Sequence, residues 1–101
     1  MTAGYGFHAT MTARPGRGDE LVDFLLASPS LANEDCVVFL IGRSAADSDV
    51  VHVTEGWTTQ DAHHRFFATD EAQALVTRLQ PLIAGEPAYL DEVPIGGKAA
   101  I

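Results

Sequence analysis

The feature that most restricts the fold is the order in which the hydrophobic period changes along the chain. Residues 5 to 13 alternate, with Tyr5, Phe7, Ala9, Met11 and Ala13 on one side and Gly6, His8, Thr10 and Thr12 on the other. Period two with one apolar side predicts a strand packed on one face. The run Arg14-Pro15-Gly16-Arg17-Gly18 predicts a turn. Asp19 and Glu20 then open a helix, where acidic side chains suit the positive end of the dipole. Its buried stripe is Leu21, Phe24, Leu25 and, more weakly, Val22. Pro29 ends it near Ser28, because the residue before a proline is pushed out of helical geometry.

Cys36 to Arg43 is apolar on both faces, which predicts a strand covered on both sides. A polar turn, Ala45 to Asp49, leads to a third strand, Val50 to Trp57. Val51, Val53, Glu55 and Trp57 share one of its faces; Val50, His52, Thr54 and Gly56 share the other. Thr58 with Asp61 three residues on reads as a capping box, opening a short helix through Ala68. Thr69-Asp70-Glu71 caps the next helix, whose stripe is Ala72, Leu75, Val76, Leu79, Leu82 and Ile83. Pro81 bends or ends that helix and Gly85 closes its last turn. Pro87 to Val93 predicts a fourth strand, and residues 95–101 a loose tail.

The resulting β-α-β-β-α-β order, with its second helical segment split, predicts an α+β, ferredoxin-like fold: a four-stranded antiparallel sheet with helices on one face. The expected unit is a single domain over residues 1–101, ordered from about 5 to 94. The opposite sheet face would carry Val38, Leu40 and Val50 among His8, Thr10, His52 and Thr54. Such a surface is unusual on a monomer, so pairing of two sheets in a C2 homodimer is expected.

Composition narrows the function classes. At 101 residues, 47% hydrophobic and 20% charged, the chain is globular rather than disordered. Six Lys+Arg against fourteen Asp+Glu give a net charge of −8, which repels phosphate backbones and argues against a nucleic-acid partner. No apolar run approaches membrane-spanning length, so no membrane partner is expected. Met1 to Tyr5 carries no basic stretch or hydrophobic signal core, which makes the cytoplasm the default location. The lone Cys36 cannot form an intramolecular disulfide, and its apolar run reads as a buried, unreactive thiol.

Several residues could carry chemistry. Glu55 points to the helical side between Val53 and Trp57, either as a pocket acid or hydrogen-bond acceptor or as a structural acceptor. Trp57 could stack on a flat ligand or fill the core. His63, one turn before Phe66 and Phe67, could act as a general base at the edge of an apolar pocket. His64 and Arg65 face solvent in this reading. Adjacent histidines cannot share one helix face, so His63 and His64 make no metal pair. His8 and His52 would bind a metal together only if their strands were adjacent; satisfied interface histidines are the simpler reading. No metal site is expected. Neither Gly4-Tyr5-Gly6 nor Gly96-Gly97-Lys98 has the strand-to-helix context of a nucleotide loop. With no flavin, nicotinamide or haem motif, an oxidation by this chain would need no cofactor.

Glu55-Gly56-Trp57, the stretch Ala62-His63-His64-Arg65-Phe66-Phe67-Ala68-Thr69 and the closing Tyr89-Leu90-Asp91-Glu92-Val93 together resemble the antibiotic biosynthesis monooxygenase family over about residues 5 to 94. The resemblance implies ferredoxin-like protomers joined through their sheets into a dimeric α-β barrel. Some members oxygenate aromatic phenols or quinols with dioxygen and no cofactor, in a pocket between sheet and helices. Others degrade haem, process small signalling sugars or have no known activity. Haem-degrading relatives place an Asn, a Trp and a His where this chain has Phe7, Phe66 and Val76; Val76 cannot ligate iron, which disfavours that chemistry. Many quinol-oxidising relatives carry a His near Phe66, whereas here the histidines stand one turn earlier.

The resemblance therefore implies a cofactor-independent monooxygenase acting on a small aromatic phenol or quinol and dioxygen. His63 would be the base, Trp57 would stack on or shape the pocket, and Glu55 would orient a polar group. Phe7, Met11, Phe24, Phe66 and Phe67 would form apolar walls, with Arg78 orienting a ligand oxygen. Two alternatives stay open: a non-catalytic small-ligand-binding or stress-associated dimer, and an isomerase of a small carbonyl compound that uses the same base without oxygen.

Overall fold

The structure is a computed structural model that describes residues 2–101, Met1 lying outside the described residues. Its strands are β1 (Tyr5–Thr12), β2 (Cys36–Arg43), β3 (Val50–Trp57) and β4 (Ala88–Glu92). Its helices are α1 (Gly18–Leu26), α2 (Gln60–Phe67) and α3 (Asp70–Leu79). The strands form one antiparallel sheet in the order β2-β3-β1-β4, the ferredoxin-like arrangement.

The alternation in β1 and β3 decides which face is covered. Phe7, Ala9, Met11, Val51, Val53 and Trp57 are buried beneath the helices. Leu21 and Leu25 of α1, Leu79 of α3 and Leu82 and Ile83 beyond it close the core from above. On the opposite face His8, Thr10 and His52 are exposed. Phe39 and Ile41 of β2 pack against the core, which leaves Val38 and Leu40 on the open face. Gly56 permits a close strand approach there: a Cβ at this position would lie 3.0 Å from the Val38 Cβ.

Local chemistry sets the element ends, in places differently from the sequence pattern. The N-cap of α2 is Thr59, not Thr58: the Thr59 hydroxyl accepts from the Ala62 N–H at 3.0 Å. Thr58 instead donates its hydroxyl to Asp35 at 2.8 Å, tying the end of β3 to the loop before β2. Thr69 caps α3 through the Ala72 N–H. Helix α1 has no side-chain cap of its own. Asp49, from the turn before β3, accepts from the N–H groups of Gly16 and Gly18 at 3.0 Å each and supplies the negative charge there. A 3-10 turn, Pro29–Ala32, follows α1, and its cap Ser28 accepts from the Ser30 N–H. Pro81 lies in a second such turn, Gln80–Leu82, where α3 gives way. Residues 95–101 carry no regular secondary structure.

Candidate active site

The split of the second helical segment opens a space above the sheet. A cavity of about 590 Å³ lies between helices α2 and α3 and the strands β1, β3 and β4. Phe7, Met11, Phe66, Phe67, Glu55 and His63 all line it. Phe24 and Arg78 do not: the exposed Arg78 guanidinium sits over the Phe24 ring at 5.4 Å. The helical stripe does turn Phe24 inward, where it packs half-buried against the core beside the buried Leu21 and Leu25, but its ring does not line the cavity.

His63 is held in an aromatic nest. Its ring centroid is 5.2 Å from that of Trp57, 5.3 Å from Phe7 and 5.6 Å from Tyr5. Its Nδ1 is buried with no protein hydrogen-bond partner. An imidazole nitrogen in that state keeps its lone pair or proton for a ligand. Desolvation holds the His63 pKa below its ordinary value, reinforced by His64 and partly opposed by Asp91.

Glu55 faces the same cavity between Phe7 and Phe39 in register. Its Oε1 accepts from the Trp57 indole N–H at 2.9 Å. Desolvation raises the carboxyl pKa, and the indole bond partly offsets the rise. The environment therefore favours the uncharged forms of both groups, a base and an acid lining one cavity. Trp57 itself is fully buried and stands behind the lining, on Phe66 at 5.2 Å and on His63. It positions Glu55 rather than offering a face to a ligand.

The cavity also contains residues that sequence reasoning missed. Tyr5 donates to Asp91 at 3.2 Å, and Tyr89 meets Phe7 edge-on at 5.8 Å. The only signal available was alternation: β4 sets Tyr89 and Asp91 opposite Ala9 and Phe7, on the helical side. Ser28 and Ser30, buried at 7% and 4% exposure, border the cavity from the 3-10 turn. His64 is exposed and reaches the rim.

Other candidates are accounted for structurally. His8 and His52 lie on adjacent strands, yet each bonds a threonine: His8 with Thr54 at 3.0 Å and His52 with Thr10 at 3.2 Å. His8 Nε2 also meets Glu92 at 3.0 Å. Among the described residues no group of three His, Cys, Asp or Glu could hold a metal ion. The half-buried Cys36 thiol is pushed up to about 11 by desolvation and then by Glu55, and it points to the Val38 carbonyl at 3.5 Å. That is the environment of an unreactive thiol. A second hollow of about 620 Å³ lies against the open sheet face, between Val38, Leu40 and Thr54 and the tail from Val93 onward. It lacks the aromatic walls and the imidazole of the first. No described helix is long and apolar enough to cross a membrane.

Comparison with known proteins agrees with this arrangement. The family model described as antibiotic biosynthesis monooxygenase matches residues 5–78. A Chloroflexus aurantiacus J-10-fl structure bearing that family name is 28% identical, with a TM-score of 0.79 over 94% of this chain and 96% of that one. A Caulobacter crescentus CB15 structure with the same family name is 22% identical, with a TM-score of 0.77 over 94% and 92%. A Mycobacterium tuberculosis protein is 16% identical, with a TM-score of 0.80 over 96% and 100%. No curated protein matches the chain. By its fold, its cavity and a family match spanning most of its length, the chain belongs to the antibiotic biosynthesis monooxygenase family.

Proposed function

We propose that the cavity is the active site of a cofactor-independent monooxygenase that oxidises an aromatic phenol or quinol with dioxygen. The observation that carries this reading is the unpartnered Nδ1 of His63, buried among Tyr5, Phe7 and Trp57 in a cavity that Glu55 also lines. An apolar wall with a few converging polar groups suits a flat, weakly polar ring. His63, kept neutral by burial, would take the acidic proton of the ring system, as in a hydroxy-anthrone. Glu55, held by Trp57, would hydrogen-bond the neighbouring ring oxygen. The resulting anion passes one electron to dioxygen, and the two radicals combine in a carbon–oxygen bond. Cleavage of the oxygen–oxygen bond leaves one oxygen on the ring carbon as a carbonyl. The other departs as water with the two hydrogens lost from that carbon.

The working unit in this proposal is a homodimer paired through the open sheet faces. Leu90, Val93 and Ile95 are 69%, 68% and 95% exposed in the protomer, an apolar surface that a second copy would cover. The test of the activity is oxygen uptake by chelator-treated protein with anthrones and naphthoquinols, autoxidation subtracted. Enzyme-dependent uptake should fall by about 10²–10⁴-fold in His63→Ala. Its acid limb should lie below pH 6.5, since the His63 pKa is lowered. Turnover of a carbonyl substrate without oxygen would instead favour the isomerase reading, and binding without turnover the ligand-binding one.

A further inference from the structure

We propose that the cavity selects uncharged aromatic ligands carrying hydrogen-bond donors and rejects the carboxylated form of the same ring system. The inference rests on the cavity being the ligand site. Its lining carries two acidic side chains, the desolvated Glu55 and the exposed Asp91, on the strands flanking Phe7. No Lys or Arg is among the lining residues. Arg78 is turned outward onto Phe24, and Arg65 is exposed and outside the lining. The remaining polar groups are hydroxyls, imidazoles and the amide of Gln73. A ligand carboxylate entering this space would lose water without gaining a cation, would find Glu55 desolvated, and would meet like charge at Asp91 on the exposed side. A phenolic O–H finds acceptors there.

The cavity's own phenols feel the same field. Desolvation raises the Tyr5 pKa, followed by Asp91, and raises that of Tyr89, followed by Glu55. A ligand phenol placed among them stays protonated until the base removes its proton. Specificity is then set by the absence of a cation in the lining as much as by the shape of the walls.

The test is calorimetric titration of the full chain with 1-naphthol and with 1-hydroxy-2-naphthoate at neutral pH, with amide chemical shifts locating each ligand. The expected result is binding of 1-naphthol with shifts at Phe7, Val53 and Ala72, and binding of the acid weaker by about tenfold or more. Asp91→Asn, which preserves an acceptor for Tyr5, should narrow that gap by strengthening the binding of the acid. Equal binding of both ligands within the cavity would overturn the selectivity and leave the cavity as the ligand site. Binding of neither, or shifts confined to the open sheet face, would overturn both.

Discussion

At the scale of single residues, the site rests on two groups that burial pushes in opposite directions. The Glu55 carboxyl is raised above 4.5 and the His63 imidazole lowered below 6.5, each chiefly by desolvation. Their effects on stability follow from which state binds protons more tightly. Folded Glu55 holds its proton more tightly than the unfolded chain does. Its contribution is fully present below about pH 4.5 and is lost as pH rises through the raised folded value. Folded His63 binds its proton less tightly, so stability declines as pH falls below 6.5. Glu55→Gln keeps an oxygen for the Trp57 indole and cannot ionise. It should melt at a higher temperature than the parent above the raised Glu55 pKa, and at nearly the same temperature well below pH 4.5. Melting curves across pH check both arms. Individual roles were only partly legible in sequence. The positions of His63, Glu55, Phe7, Met11, Phe66 and Phe67 at the cavity follow from type and phase, but Phe24 and Arg78 do not reach it. Helical phase fixes a direction around an axis, which puts Phe24 against the core, but not which neighbours it meets there, and the cavity lining does not include it.

At the scale of elements, the strands were legible because their alternation is strict and each covered face is continuous. Boundaries depended on competition between neighbouring hydroxyls. Thr58 and Thr59 offer the same chemistry, and only the position of Asp35, distant in sequence, decides that Thr58 is a strap and Thr59 the cap. Thr59→Ala should destabilise the fold by about 1 kcal/mol, read from denaturant midpoints. Because α2 carries His63, the same change should also weaken the binding of an aromatic ligand. The 3-10 turn Pro29–Ala32 escaped the sequence pattern, which stopped at the proline. Its buried Ser28 and Ser30 became cavity residues through packing against β2 that no local spacing encodes.

At the scale of the whole molecule, the two sheet faces have different tasks. One carries the helices and the cavity; the other presents Val38, Leu40 and Leu90 among histidines and threonines. If two copies pair through that face, Leu40→Asp should shift the protein from dimer to monomer in sedimentation velocity, with the α2–α3 side intact by circular dichroism. A dimer that persists in this variant would place the contact elsewhere. The strand order has a kinetic consequence as well. β1 is the first strand made, yet its partner β4 emerges about 75 residues later, roughly 4–15 s of synthesis at typical rates. During that interval one edge of β1 stands open, and the Tyr5–Asp91 side of the cavity does not exist. A nascent chain in this state bears an unpaired edge beside apolar rings, the usual template for wrong pairing. The −8 charge then acts during synthesis itself, keeping unfinished copies apart until the last strand docks.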